Sequence, residues 1–275
     1  MNLFKTAFIV LLVLGIVACN HNQYAITNKF YKSQTKELLK QIKLNPSLQT
    51  VNNIAVGTDW VGTTNFDLRK PNLVIIHHTA QNSCEQTLRT FTLERTKVSA
   101  HYVICKDGTI HHMLNDYMRA WHGGIAKWGN ITDVNSGSIG IELDNNGFEP
   151  FEPAQMNSLL LLLAQLKSNY KIPTENFIGH GDIAPKRKND PNIQFSWSQL
   201  AKSGYGLWFE PDTTKQLSES ISIPFALALI GYDVQDSTAA IMAFKRHFRQ
   251  DSTAVINEAD KSVLSQLIAH KIGTK

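Results

Sequence analysis

Leu73-Val74-Ile75-Ile76-His77-His78-Thr79-Ala80 is the stretch from which the fold can be read. Four apolar residues, three of them β-branched, follow Pro71-Asn72, as in a short strand buried on both faces. Two histidines stand at its C-terminal end, and strand ends in α/β sheets are where sites are built. Downstream, Ser83 to Leu93 has the pattern of a helix. His101 to Cys105 reads as a second strand, closed by the turn Lys106-Asp107-Gly108, with Thr109 to Leu114 returning as its hairpin partner. Ser138 to Leu143 is another strand: Ile139, Ile141 and Leu143 share one face, Gly140 and Glu142 the other. Glu152-Pro153 opens a helix whose Met156, Leu159, Leu160, Leu163 and Leu166 follow helical spacing until Asn169 to Pro173 stops it. Asn176 to His180 is one more short strand.

Strands alternating with helices and a hairpin predict an α/β fold with a mixed central sheet flanked by helices. The texture changes after residue 205. Residues 206–222 read as a linker, and residues 223–275 as a small C-terminal three-helix bundle over Phe225 to Leu229, Thr238 to Phe248 and Ala259 to Ile268. Upstream, residues 19–50 are polar, with one modest helix from Thr35 to Leu44, and read as a tether. Residues 51–205 form the main domain. The chain has 275 residues, 43% hydrophobic and 18% charged, with a net charge of +4, which describes a globular protein. So weak a positive charge, without a basic run interleaved with aromatics, argues against nucleic acid as a partner.

Residues 1–18 stand apart from the fold. Lys5 is the only charge before Cys19, and Ala7 to Ala18 is apolar throughout apart from Gly15. Twelve such residues are too few to span a bilayer easily and suit the core of a secretory signal peptide. The ending Gly15-Ile16-Val17-Ala18-Cys19 resembles the lipobox of bacterial lipoproteins, which implies a lipid on Cys19. In that class Asn20, where a retained protein tends to carry Asp, implies the periplasmic side of the outer membrane. The periplasm permits disulfides. Cys84 and Cys105 could pair there, but the reading preferred here is two free, buried thiols.

His77 and His180 each end an apolar strand, and Asp190 follows His180 by ten residues. Two imidazoles and a carboxylate suffice for a catalytic zinc site with a fourth position left to water. Spacing alone leaves alternatives: His180 bonded to nearby backbone, and Asp190 as a turn carboxylate before Pro191. Strand alternation turns His78 to the opposite face, so it is expected to be structural. Glu142, beside the space that Gly140 clears, is a candidate general base, or else part of a solvated face. Lys188 could stabilise an oxyanion, or be one of three basic residues on a solvated loop.

Ile76-His77-His78-Thr79-Ala80, Ile139 to Leu143 and Gly179-His180-Gly181-Asp182-Ile183-Ala184-Pro185, with Lys188 and Asp190, together resemble the type-2 zinc N-acetylmuramoyl-L-alanine amidases. That superfamily includes phage amidases and peptidoglycan recognition proteins. The likeness reaches the outer-membrane lipoprotein amidases of enteric bacteria and covers nearly the whole chain. It takes in Val98 to Tyr102, Ala120-Trp121-His122, Phe151 to Gln155, Gly231 to Val234 and Ile241 to Phe244. The resemblance implies Zn2+ held by His77, His180 and Asp190, with Glu142 as acid/base and Lys188 on the transition state. It also implies cleavage between N-acetylmuramic acid and L-alanine in peptidoglycan or muropeptides. The C-terminal bundle partly resembles a peptidoglycan-binding module. Trp121 and His122, in a loop with Gly123-Gly124, are expected to line the substrate cleft. A monomer is expected. The competing readings are a non-catalytic wall-fragment sensor of the same fold and a cysteine peptidase built on Cys84 or Cys105.

Overall fold

The computed structural model describes residues 22–43, 49–51, 54–56, 63–65, 67–68, 70–211 and 214–273. The leader and Cys19 lie outside the described residues. Two compact units emerge, Met1–Asn65 and Phe66–Lys275. The first holds helix α1 (Ala25–Lys43) and an antiparallel pair, β1 (Gln49–Val51) and β2 (Ile54–Val56). Helix α1 begins ten residues before the expected Thr35. Its N-terminal half has few apolar positions to betray a period, and Thr27, Asn28, Tyr31 and Ser33 add little helix propensity, so nothing local marks its start.

The second unit begins with β3 (Leu73–His78) and α2 (Cys84–Thr92), the latter capped by Ser83, whose hydroxyl accepts from the Gln86 N–H at 3.2 Å. The hairpin β4 (Tyr102–Ile104) and β5 (Ile110–His112) follows, then the short α3 (Val134–Gly137) and β6 (Ser138–Leu143). Next come α4 (Pro153–Tyr170), β7 (Phe177–Gly179) and the single turn α5 (His180–Ile183). The unit ends with α6 (Trp197–Lys202), α7 (Ile223–Ile230), α8 (Ser237–Arg249) and α9 (Glu258–Lys271).

One mixed sheet organises this unit, in the order β5-β4-β6-β3-β7. Only the β4–β5 hairpin is antiparallel; β6 pairs parallel with both β3 and β4, and β7 runs parallel to β3. Alternation along the strands divides the core in two. Val74, Ile76, Ile139, Ile141, Leu143 and Phe177 face α4, whose Met156, Leu159, Leu163 and Leu166 cover them. Leu73, Ile75 and Ile178 face the other way and join a cluster with Leu227, Ile230, Phe244, Leu264 and Leu267 of the C-terminal helices. Helices α7, α8 and α9 pack on one another as the expected bundle and also close the second face of the sheet.

The cysteines correct the sequence reading. Cys84 and Cys105 are disulfide-bonded, their Cα atoms 5.4 Å apart. Cys84 opens α2 and Cys105 follows β4, and packing of that helix on that strand brings the two positions within bridging range. Linear sequence does not carry that separation. The pairing also removes both thiols as nucleophiles, and with them the cysteine-peptidase alternative.

Because one apolar cluster joins the sheet to α7–α9, the second unit is expected to unfold cooperatively. Phe244 of α8 is fully buried in that cluster. Phe244→Ala should cost about 3–5 kcal/mol. Urea denaturation should show circular dichroism and tryptophan fluorescence shifting together. An early transition confined to the C-terminal helices would contradict the shared core.

Candidate active site

The register of the sheet assembles the site. In the parallel pair β3–β6, Ile75 lies beside Gly140 and His77 beside Glu142. Both pairs sit on the face that α7–α9 cover lower down. The helices reach Leu73 and Ile75 but leave His77 and Glu142 at the C-terminal edge. The chain leaves β7 directly into the α5 turn, which presents His180, and the loop after α5 returns to bring Asp190 against it. The backbone N–H of Gly181 donates to the Asp190 carbonyl at 2.7 Å, which ties the two ends of that loop together.

Three donor atoms converge. His77 Nδ1 lies 2.9 Å from His180 Nδ1 and 3.2 Å from Asp190 Oδ2, and His180 Nδ1 lies 3.0 Å from Asp190 Oδ2. All three residues are buried. Burial, and then the neighbouring His180, lower the pKa of His77 to about 4. Burial alone would raise Asp190, but the two imidazoles overcome it and hold the carboxyl well below its ordinary range.

The outer bonds of both rings settle their tautomers. Ser138 Oγ–H donates to the Val134 carbonyl at 2.7 Å, so its oxygen accepts from His122 Nε2–H at 3.1 Å. His122 Nδ1 is then an acceptor, and His77 Nε2–H donates to it at 3.1 Å. His180 Nε2–H donates to the Gly123 carbonyl at 3.1 Å. Both Nδ1 atoms therefore carry bare lone pairs aimed at each other and at a carboxylate oxygen. Only a proton or a metal cation between them relieves that repulsion. Four donors around a tetrahedral ion at roughly 2.0–2.1 Å stand about 3.3 Å apart, close to the spacing seen here. Two imidazole nitrogens and one carboxylate oxygen are a donor set that suits zinc, and the residues can hold a metal ion.

Glu142 stands beside this group, its Oε1 3.9 Å from His77 Nδ1. Its Oε2 is buried and has no hydrogen-bond partner among the described residues. Burial, and then the Asp190 carboxylate, push its pKa up to about 8, against the opposing pull of Lys188. Lys188 lines the same cleft, and its ammonium makes no hydrogen bond or ion pair to another described residue, while its backbone N–H donates to the Ala184 carbonyl. The cleft has a volume of about 320 Å³. Its floor is the group just described. Its walls include Phe91, Val98 and Trp121 together with Arg187 and Lys188.

The remaining expected residues fall out as follows. Trp121 is half exposed on the cleft wall. His122, expected to line the cleft, lies buried at its floor and commits both ring nitrogens to His77 and Ser138. Its ring lies over Gly140, where any Cβ would overlap it. Gly140 thus clears space for a protein ring rather than for a ligand. His78 is structural, as expected from alternation: its Nδ1 accepts from the Asn192 N–H at 3.0 Å and steadies the chain just past Asp190.

Several contributors carry no local signal in the sequence. Asn135 Oδ1 accepts from the N–H groups of His122 and Gly123, and Arg187 donates to the carbonyls of Gly123 and Ile125, so the 122–125 loop is held from both sides. Asp182, buried two residues after His180, accepts from Gly179 N–H at 2.8 Å, His247 Nδ1 at 2.7 Å and Tyr232 O–H at 2.9 Å. Tyr232 and His247 come from the C-terminal region, and only tertiary packing brings them here.

Comparison with known proteins agrees with this geometry. Residues 67–193 match the family model described as N-acetylmuramoyl-L-alanine amidase. The chain is 33% identical over 234 residues to the N-acetylmuramoyl-L-alanine amidase AmiD of Escherichia coli, covering 73% of this chain and 83% of that one. It is 39% identical over 108 residues to the 1,6-anhydro-N-acetylmuramyl-L-alanine amidase AmpD of Haemophilus influenzae, covering 39% of this chain and 59% of that one. A solved structure of E. coli AmiD with the substrate anhydro-N-acetylmuramic acid-L-Ala-D-γ-Glu-L-Lys superposes with a TM-score of 0.67 at 30% identity, covering 83% of this chain and 99% of that one. With the fold, the edge cleft and these likenesses in agreement, the chain belongs to the N-acetylmuramoyl-L-alanine amidase family.

Proposed function

We propose that this chain hydrolyses the amide between the lactyl group of N-acetylmuramic acid and L-alanine in peptidoglycan or muropeptides. In this reading Zn2+ is held by His77 Nδ1, His180 Nδ1 and Asp190 Oδ2, and the enzyme contributes to cell-wall turnover. The observation that carries it is the meeting of three bare lone pairs beside the buried Oε2 of Glu142, which has no hydrogen-bond partner among the described residues. Zinc bound there would supply Lewis acidity, both to acidify water and to polarise the scissile carbonyl.

The chain's own groups do the rest. Glu142 takes the proton from the attacking water and returns it to the nitrogen of the departing L-alanine. Its burial favours holding that proton between the two events. Lys188 places positive charge where the carbonyl oxygen gains negative charge. His122 and Ser138 keep His77 in the tautomer that presents Nδ1, a task of orientation that needs no contact with substrate. Trp121 offers a ring face to the sugar or the stem peptide. The AmiD complex with an anhydro-muropeptide supports a ligand of this class in the cleft. The apolar run ending at Cys19 supports a lipid anchor there and a periplasm-facing place on the outer membrane.

Metal analysis of the purified protein should find one zinc per chain. His180→Ala should lose it, and full zinc occupancy in that variant would remove His180 from the ligand set.

Gly140→Ala tests the outer bonds. A Cβ there must displace the His122 ring and loosen His77. Zinc affinity should fall about 10- to 100-fold while the protein stays folded. Unchanged affinity measured against a competing chelator would show that the His77–His122 bond does not orient the ligand.

Glu142→Ala and Lys188→Ala should both keep fold and zinc while losing most turnover. For Lys188→Ala the loss should be about a hundred- to a thousandfold in kcat, with KM changing far less. Mass spectrometry of products from purified wall and soluble muropeptides is the assay. Release of intact stem peptides from N-acetylmuramic acid supports the reading, and near-normal turnover in zinc-loaded Glu142→Ala would overturn the proton-transfer role.

A further inference from the structure

Helix α1 carries a surface that the amidase site does not use. Its lysines are Lys29, Lys32, Lys36, Lys40 and Lys43, spaced by three, four, four and three residues. At 100° per residue they fall within an arc of about 80°. All five are exposed. Glu37 is the only acidic residue of the helix, and it pairs with Lys40 at 2.8 Å. The opposite side presents Phe30, Leu38 and Ile42, which are 60%, 42% and 72% exposed, while the exposed Ile26 and Leu39 border the lysine arc on either flank. No described residue of α1 is buried.

Such an arrangement works against an isolated helix. Four neighbouring lysine pairs at i,i+3 or i,i+4 repel one another, and an uncovered apolar side gains nothing in water. A partner that suits α1 must therefore offer anions to one side and an apolar medium to the other. Wall polymer offers carboxylates but no apolar medium. An anionic bilayer surface offers both, and it takes helices with a lysine-rich polar face in the plane of the headgroups. The helix also begins six residues after Cys19, where the proposed lipid would hold it against such a surface.

We propose that α1 lies flat on an anionic lipid surface. Phe30, Leu38 and Ile42 enter the acyl boundary, and Lys29, Lys32, Lys36, Lys40 and Lys43 reach headgroup phosphates. The inference rests on the proposed anchor for its location, since the lipid on Cys19 brings the helix to the membrane. The helix adds a second, charge-dependent attachment, which sets how the following chain leaves the surface.

Hydrogen–deuterium exchange on the mature protein tests this, with the protein purified in detergent and then mixed with vesicles. One set of vesicles contains phosphatidylglycerol and phosphatidylethanolamine, the other phosphatidylcholine alone. Amides of α1 should exchange about tenfold more slowly or better on the anionic vesicles, and high salt should reduce the effect. Amides in residues 70–211 should not change. The combined variant Lys29→Gln, Lys32→Gln, Lys36→Gln, Lys40→Gln, Lys43→Gln keeps helix propensity and should lose the protection. Phe30→Ser with Ile42→Ser should lose it as well. Equal protection in detergent and on both kinds of vesicle would mean that α1 packs on the protein itself and would overturn the proposal. Protection by purified wall but not by anionic vesicles would overturn it too. The mass of the N-terminal peptide reports the lipid separately, so an unmodified Cys19 with α1 still protected on anionic vesicles would sink only the anchor.

Discussion

Three lone pairs at one edge of a sheet are the constraint around which this molecule is arranged. His77, His180 and Asp190 come from a strand end, a one-turn helix and a loop, and their acceptor atoms stand about as close as oxygen and nitrogen can approach. Nothing in their own chemistry favours that meeting without a cation. The surrounding structure therefore has to hold it, and much of the buried polar network serves this end. Ser138, His122 and the Gly123 carbonyl fix the imidazole tautomers from behind. Gly181 N–H clasps the Asp190 carbonyl, and His78 takes the Asn192 N–H just beyond it. These bonds are directional, so they set which atom faces the centre as well as where each ring sits.

The sheet makes such precision possible. Its core strands are buried on both faces, and β3 sits between β6 and β7 with parallel partners on either side. A strand in that position has little freedom to slide, because a one-residue slip would move Ile75 and His77 to the face of α4 and bring Val74 and Ile76 out. The same register that packs Ile75 beside Gly140 delivers His77 beside Glu142. Packing and the placing of both candidate groups are thus set by one pairing, and the acid/base candidate meets the candidate ligand without any loop having to place it.

Much of this was legible in the sequence. The β-branched run at Leu73 to Ile76, the alternation in Ser138 to Leu143 and the helical period after Pro153 name the strands and helix that build the site. Alternation also separates Glu142 from Ile141, and His78 from His77, on physical grounds. Among the features that were not legible, the first two below depend on distance through space and the third on a helix with no apolar stripe against a core. The spacing of Cys84 and Cys105 comes from α2 lying on β4. Gly140 looks like room for a ligand until the His122 ring is seen to fill it. The early start of α1 was hidden because its helix is marked by lysines rather than by an apolar stripe against a core.

Asp182 shows how far the site's support extends. Buried carboxylates are costly unless fully paired, and this one is met by a backbone N–H, an imidazole N–H and a phenol O–H. The first of these comes from Gly179, directly before the candidate ligand His180; the other two come from Tyr232 and His247, fifty or more residues along the chain. Trp197 stacks on the far side of His247 with ring centroids 3.8 Å apart, so the imidazole is fixed in plane as well as in bonding. His247 Nε2 is buried and meets no hydrogen-bond partner among the described residues, so the imidazole engages its surroundings in the ring plane through Nδ1 and Asp182. The turn that presents His180 is therefore held in place by α8 and by Tyr232, two residues past the end of α7. Whatever those C-terminal helices bind, they are also part of the frame that keeps one imidazole lone pair aimed at the centre.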